Sequence, residues 1–157
     1  MSVKIVENNI IFTREFKATA EQIFKAYTDQ NLFEKWFHPQ GATTEVYESD
    51  VQTGGNAFFA IRAPQGTSYT VTQYTEVIQP TLIDYNDYFA DKDGNIDQKM
   101  AGMHNTIHIE DNDNGVAKLT SVAVLPDPKA AQQLLDMGVE EGMNSTFDNL
   151  ETLLETL

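Results

Sequence analysis

The chain has 157 residues, of which 10 are basic and 24 acidic, for a formal net charge of -14, and it contains no cysteine. One well-buried core is affordable at that length and no shift of composition divides it, so a single domain over 1–157 is expected. The charge argues against a phosphate backbone or an anionic lipid surface as partner, and the missing thiols exclude disulfides and thiolate metal sites.

Along the chain, the first nine residues lack a basic segment followed by an apolar run, and no later stretch approaches the roughly 20 apolar residues of a membrane span. A cytoplasmic location is expected. Ile10, Phe12, Arg14 and Phe16 alternate with Ile11, Thr13 and Glu15, the period of a strand. Thr19, with Gln22 three residues on, has the pattern of a capped helix start, and Ala20, Ile23, Phe24 and Tyr27 follow at helical spacing. A second short helix is predicted over 31–36, ended by Pro39 and Gly41. Six β-rich runs follow at about 43–48, 57–63, 68–78, 82–90, 100–110 and 116–125. Turn residues separate them at Gly54-Gly55, Pro64-Gln65-Gly66, Gln79-Pro80, Asp93-Gly94 and Asn114-Gly115. No helical pattern suited to a parallel crossover interrupts these runs, so the sheet is predicted to be antiparallel.

Residues 128–157 read as one long amphipathic helix, with Leu135, Val139, Met143, Phe147, Leu150, Leu154 and Leu157 as its stripe. The apolar direction rotates midway, where Gly138 and Gly142 stand one turn apart. Each glycine costs about 1 kcal/mol of helix propensity relative to alanine, and close approach to the sheet or to a ligand is the expected compensation.

Several of these pieces, taken in order, carry a family likeness. They are the run from Phe16-Lys17-Ala18-Thr19 to Tyr27-Thr28-Asp29, then Trp36, Gly54-Gly55, Pro64-Gln65-Gly66, Glu76-Val77-Ile78-Gln79-Pro80 and Gly138-Val139-Glu140-Glu141-Gly142-Met143. Over about 10–157 the chain resembles the family of the activator of heat-shock protein 90 ATPase homologue, in the START-like (SRPBCC) superfamily. The resemblance implies an α+β helix-grip fold, β-α-α-β6-α, in which a curved antiparallel sheet wraps a long C-terminal helix and leaves a hydrophobic cavity between them. Met143 stands where the family often has tryptophan and Gln73 where glycine is usual, so the ligand's identity does not carry over.

The groups that could do chemistry give little. His104 and His108 are four apart in a strand, about 13 Å at ~3.3 Å per residue, too far to share a metal ion. His38 is read as a turn residue. The run Asp91-Lys92-Asp93-Gly94-Asn95-Ile96-Asp97 lacks the glycine and glutamate positions of a calcium loop. Gly54-Gly55 opens a hairpin and has no lysine or helix after it, so it is not a phosphate loop. No carboxylate stands in an apolar run that would raise its pKa, and Glu141, the best isolated candidate, is expected at the surface. Accordingly no catalytic residue, no metal and no cofactor is expected.

The inward strand faces are more informative. If Ala57, Phe59 and Ile61 face inward, the matching rows are Tyr69-Val71-Gln73-Thr75-Val77, Met103-Asn105-Ile107-Ile109 and Leu119-Ser121-Ala123, with Ile83, Tyr85 and Phe89 as a further wall. Polar residues interrupting apolar rows suggest a cavity or an internal network. The expected ligand-binding residues are Phe59, Tyr69, Gln73, Tyr85, Met103, Asn105, Ser121 and Met143. The expected function is non-enzymatic binding of a small apolar or amphipathic molecule by a monomer or homodimer. The family resemblance adds, as alternatives, regulation of a chaperone ATPase or a stress-response role, and a cyclase or hydrolase acting on a cavity-bound substrate.

Overall fold

The computed structural model describes residues 2–99 and 102–157. Alternating side chains build eight strands: β1 (Ser2–Val6), β2 (Asn9–Phe16), β3 (Thr43–Ser49), β4 (Asn56–Ala63), β5 (Gly66–Ile78), β6 (Leu82–Ala90), β7 (Met103–Asp111) and β8 (Ala117–Val124). They form one sheet in the order β1-β2-β8-β7-β6-β5-β4-β3, with every neighbouring pair antiparallel. Helices α1 (Ala20–Thr28) and α2 (Gln30–Trp36) follow β2, and α3 (Pro128–Asp136) and α4 (Val139–Leu154) follow β8. This is the α+β helix-grip architecture.

Local chemistry explains the helix boundaries. At α1 the Thr19 side chain accepts from the Gln22 amide, and the Gln22 side chain accepts from the Thr19 amide, which closes a capping box. Asp29 ends α1 and caps α2 by accepting from the amides of Asn31 and Leu32. The hinge between α1 and α2 is locked by Trp36, which is fully buried, donates Nε1–H to the Ala26 carbonyl at 2.9 Å and packs edge-on against Tyr27. Phe16, Ile23, Leu119, Phe147 and Leu150 share that core, so α1, α2 and α4 are all anchored to the inward face of the sheet. A leucine-to-alanine change at such a site costs about 2–5 kcal/mol.

Two departures from the sequence reading stand out. Strand β1 precedes the first predicted strand and pairs with β2 through a turn in which Glu7 takes φ 57°, a conformation that glutamate does not advertise. The predicted single C-terminal helix is two. Met137 and Gly138 interrupt it, and Gly138 at φ 92° receives the turn while its amide donates to the Leu135 carbonyl, so a left-handed turn rather than a close approach is why glycine stands there.

Candidate functional site

Strand register decides which side chains face the helices. Met103, Asp87, Thr72, Ala57 and Ser49 align in one inward row, and Ile10, Ala123, Asn105, Tyr85 and Tyr74 in the next. Under the first row and beside the second, a cleft opens between β3–β6 and the helices α1 and α2. Tyr27, Phe33, Phe37 and Phe59 supply its aromatic walls, while Thr72, Tyr74, Tyr85 and Asp87 supply polar groups. Its free volume is about 30 Å³, room for about two waters. An organic molecule therefore enters only if side chains move.

The polar groups of the cleft are under-used. Thr72 Oγ1 donates to Asp87 Oδ1 at 2.6 Å, and among the described residues nothing else donates to that carboxylate. The hydroxyls of Tyr27, Tyr74 and Tyr85 make no hydrogen bond among those residues either. Among the described residues no fully buried side-chain nitrogen or oxygen lacks a partner, so each of these free oxygens keeps some exposure. Desolvation by burial pushes the Asp87 carboxyl up to about 6, against the opposing pull of its Thr72 hydrogen bond. Burial likewise raises Tyr27, Tyr74 and Tyr85, and the Asp87 charge adds to the effect on Tyr74 and Tyr85. The groups are close enough to feel one another.

The expectation that no carboxylate sits where its pKa would rise is thus corrected. Asp87 was legible in principle, since Ile83, Tyr85 and Asp87 alternate onto one face. Its neighbours Asn86 and Tyr88 made the run look mixed rather than apolar.

The predicted site residues scatter. Phe59 and Tyr85 line the cleft. Met103 and Asn105 face inward in the rows of Asp87 and Tyr85, but neither lines the cleft, and the Asn105 amide donates to the Met103 carbonyl. Ser121 is buried in the core row between Phe12 and Ile107. Tyr69 and Gln73 point to the outer face, where Tyr69 packs near Phe58 and Gln73 is exposed. A bulge between Tyr74 and Glu76 is the cause: reading backward from Val77, which does face inward, the extra residue flips every earlier side chain of β5. The inward residues there are Thr70, Thr72 and Tyr74. Phe89 shares the inward face but stands at its open end, 53% exposed.

Met143 lines a separate apolar groove of about 270 Å³ with Phe37, His38, Pro39, Ile61, Val139 and Gly142. The cavity expected between the sheet and the long C-terminal helix is thus placed differently: a cleft lies under α1 and α2, and near Gly142 the surface carries an open groove. Gly138 takes no part in either. His38 sits in the groove wall, its Nδ1 3.1 Å from Thr44 Oγ1, and burial lowers its pKa. Glu141 is exposed. On the outer face Asp84 accepts from Thr106 and pairs with His104 Nε2 at 2.7 Å, while His108 on the same face is exposed. No helix among the described residues is long and apolar enough to cross a membrane.

Solved structures share this fold. The chain is 48% identical to a Staphylococcus epidermidis protein solved by solution NMR, with a TM-score of 0.91, covering 99% of this chain and 94% of that one. It is 29% identical to protein Ms6760 from Mycobacterium smegmatis, with a TM-score of 0.87 and coverage of 98% and 96%. A protein from Arthrobacter aurescens, 22% identical over 99% and 92% of the two chains, shares the fold with a TM-score of 0.86. No curated protein matches. A family model described as Activator of Hsp90 ATPase homolog 1-like protein matches residues 17–155, nearly the whole chain, and the chain belongs to that family.

Proposed function

We propose that the protein binds a small amphipathic molecule in the cleft between α1, α2 and β3–β6. The observation behind this reading is the set of free oxygens on Tyr27, Tyr74, Tyr85 and Asp87, held within aromatic walls. Ligand sites are mostly apolar with a few convergent polar groups, which is the make-up of this cleft. The small free volume means that binding is coupled to opening, with Phe33 and Phe37 on the partly exposed side of α2 as the side chains that move. A thermal-shift screen against small amphipathic molecules tests the proposal. A ligand at 100 times its Kd adds about 2.7 kcal/mol, so a bound compound raises the melting temperature by several degrees. Unchanged melting across the whole library would contradict it.

A second reading has one observation in its favour. A carboxyl that titrates near 6 within a cleft suits general acid–base work on a bound molecule. Turnover that Asp87→Asn abolishes while binding persists would favour it. The family's name also suggests action on an Hsp90-type ATPase. An unchanged chaperone ATPase rate in the presence of the purified chain would reject that role.

A further inference from the structure

Phe37 belongs to two spaces at once: it walls the polar cleft on one side and the apolar groove beside α4 on the other. It is held there by stacking on Phe33 at 4.5 Å and by an edge contact with Phe59 at 5.8 Å. It also meets the buried Trp36 edge-on at 5.4 Å, and it is the one residue that the two linings share. Among the residues lining the cleft is Asp87, one of whose carboxylate oxygens has no donor among the described residues. Ile61, Val139 and Met143 line the groove, and Gly142 leaves open space where a side chain would stand.

We infer that cleft and groove are two halves of one site, joined when Phe37 swings aside, and that its ligand is an elongated apolar molecule whose hydrogen-bond-donating head, an ammonium or a hydroxyl, meets Asp87 while its chain lies in the groove. This deepens the proposed function and rests on it. Charge selects the head. An ionised Asp87, with the hydroxyls of Tyr74 and Tyr85 beside it, accepts from a donor and repels a carboxylate, and the net charge of -14 weighs against anionic ligands as well. Apolarity selects the tail, because the groove is lined almost wholly by carbon: Phe37, Pro39, Ile61, Val139 and Met143.

Gly142 makes the tail half testable without disturbing the fold. It lies inside α4, and nothing stands within 4 Å of the position a Cβ would occupy. Gly142→Leu therefore fills the groove while favouring the helix. The experiment is calorimetric titration of the full chain at pH 8 with octylamine, 1-octanol and octanoate, repeated with Asp87→Asn and Gly142→Leu. The amine and the alcohol are expected to bind, and octanoate to bind about tenfold more weakly or not at all. Asp87→Asn narrows the gap between amine and octanoate, and Gly142→Leu weakens every binder about tenfold while circular dichroism and melting temperature are retained or improved. Equal affinity for all three heads, or binding indifferent to Gly142→Leu, overturns the inference and leaves the cleft proposal standing. If none of the three binds but short aromatic probes do, the joined site is also wrong. If neither class binds, the cleft proposal fails with it.

Discussion

Asp87 carries its charge where water is scarce, and that sets a sign for its effect on stability. Its folded pKa, about 6, lies above the 3.8 of an ordinary aspartate, so between those values the folded state holds more protons than the unfolded chain. Its contribution is therefore best below pH 4, falls as pH rises to about 6, and stays unfavourable beyond that, by on the order of 2–3 kcal/mol. Asp87→Asn is expected to raise stability at pH 7.5 and to flatten the decline between pH 4 and 6, as read by urea unfolding at a series of pH values. A variant no more stable than the parent at pH 7.5 would show that the carboxyl is better solvated than its surroundings indicate. Asp84 opposes this trend. Although desolvation raises it, hydrogen bonds from Thr75, Thr106 and His104 bring its pKa below the usual value, so its stabilisation is lost as pH falls. Comparing variant with parent isolates the contribution of Asp87.

Among the elements, the two glycines near the start of α4 separate cleanly. Gly138 sits at φ 92°, where a side chain strains the backbone, and Gly138→Ala is expected to cost about 1–2 kcal/mol. Gly142 is helical with open space around it, and Gly142→Ala is expected to stabilise by up to about 1 kcal/mol. Opposite signs four residues apart, measured by thermal unfolding, are the outcome that supports two helices rather than one. The outer edge of the sheet is protected in a similarly specific way. Glu34 on α2 accepts the Val46 amide of β3 at 2.8 Å, and Gln30 donates to the Val46 carbonyl at 3.2 Å. These bonds occupy groups that an edge strand would otherwise offer to another chain. Glu34→Ala should cost about 1 kcal/mol and increase self-association in analytical ultracentrifugation.

For the molecule as a whole, the fold was legible because local signals agreed: the capping box at Thr19 and Gln22, the spaced turns, and the apolar stripe through Phe147, Leu150 and Leu154. The site was less legible for two physical reasons. A single bulge in β5 exchanges inward and outward residues, which removed Tyr69 and Gln73 from the interior and brought in Thr72 and Tyr74. The depth of packing under α4 is a property of the assembled core. Phe147 and Leu150 fill space that periodicity alone could not show to be filled, and the remaining room lies under α2. The central claim, that this room takes up a ligand, is tested most directly by NMR with isotope-labelled aromatic rings during titration with octylamine. The account predicts saturable shifts centred on Tyr27, Phe33, Phe37, Phe59, Tyr74 and Tyr85, with Tyr47 and Tyr69 on the outer face unmoved. Shifts confined to the outer-face rings, or none at all at millimolar ligand, would contradict it.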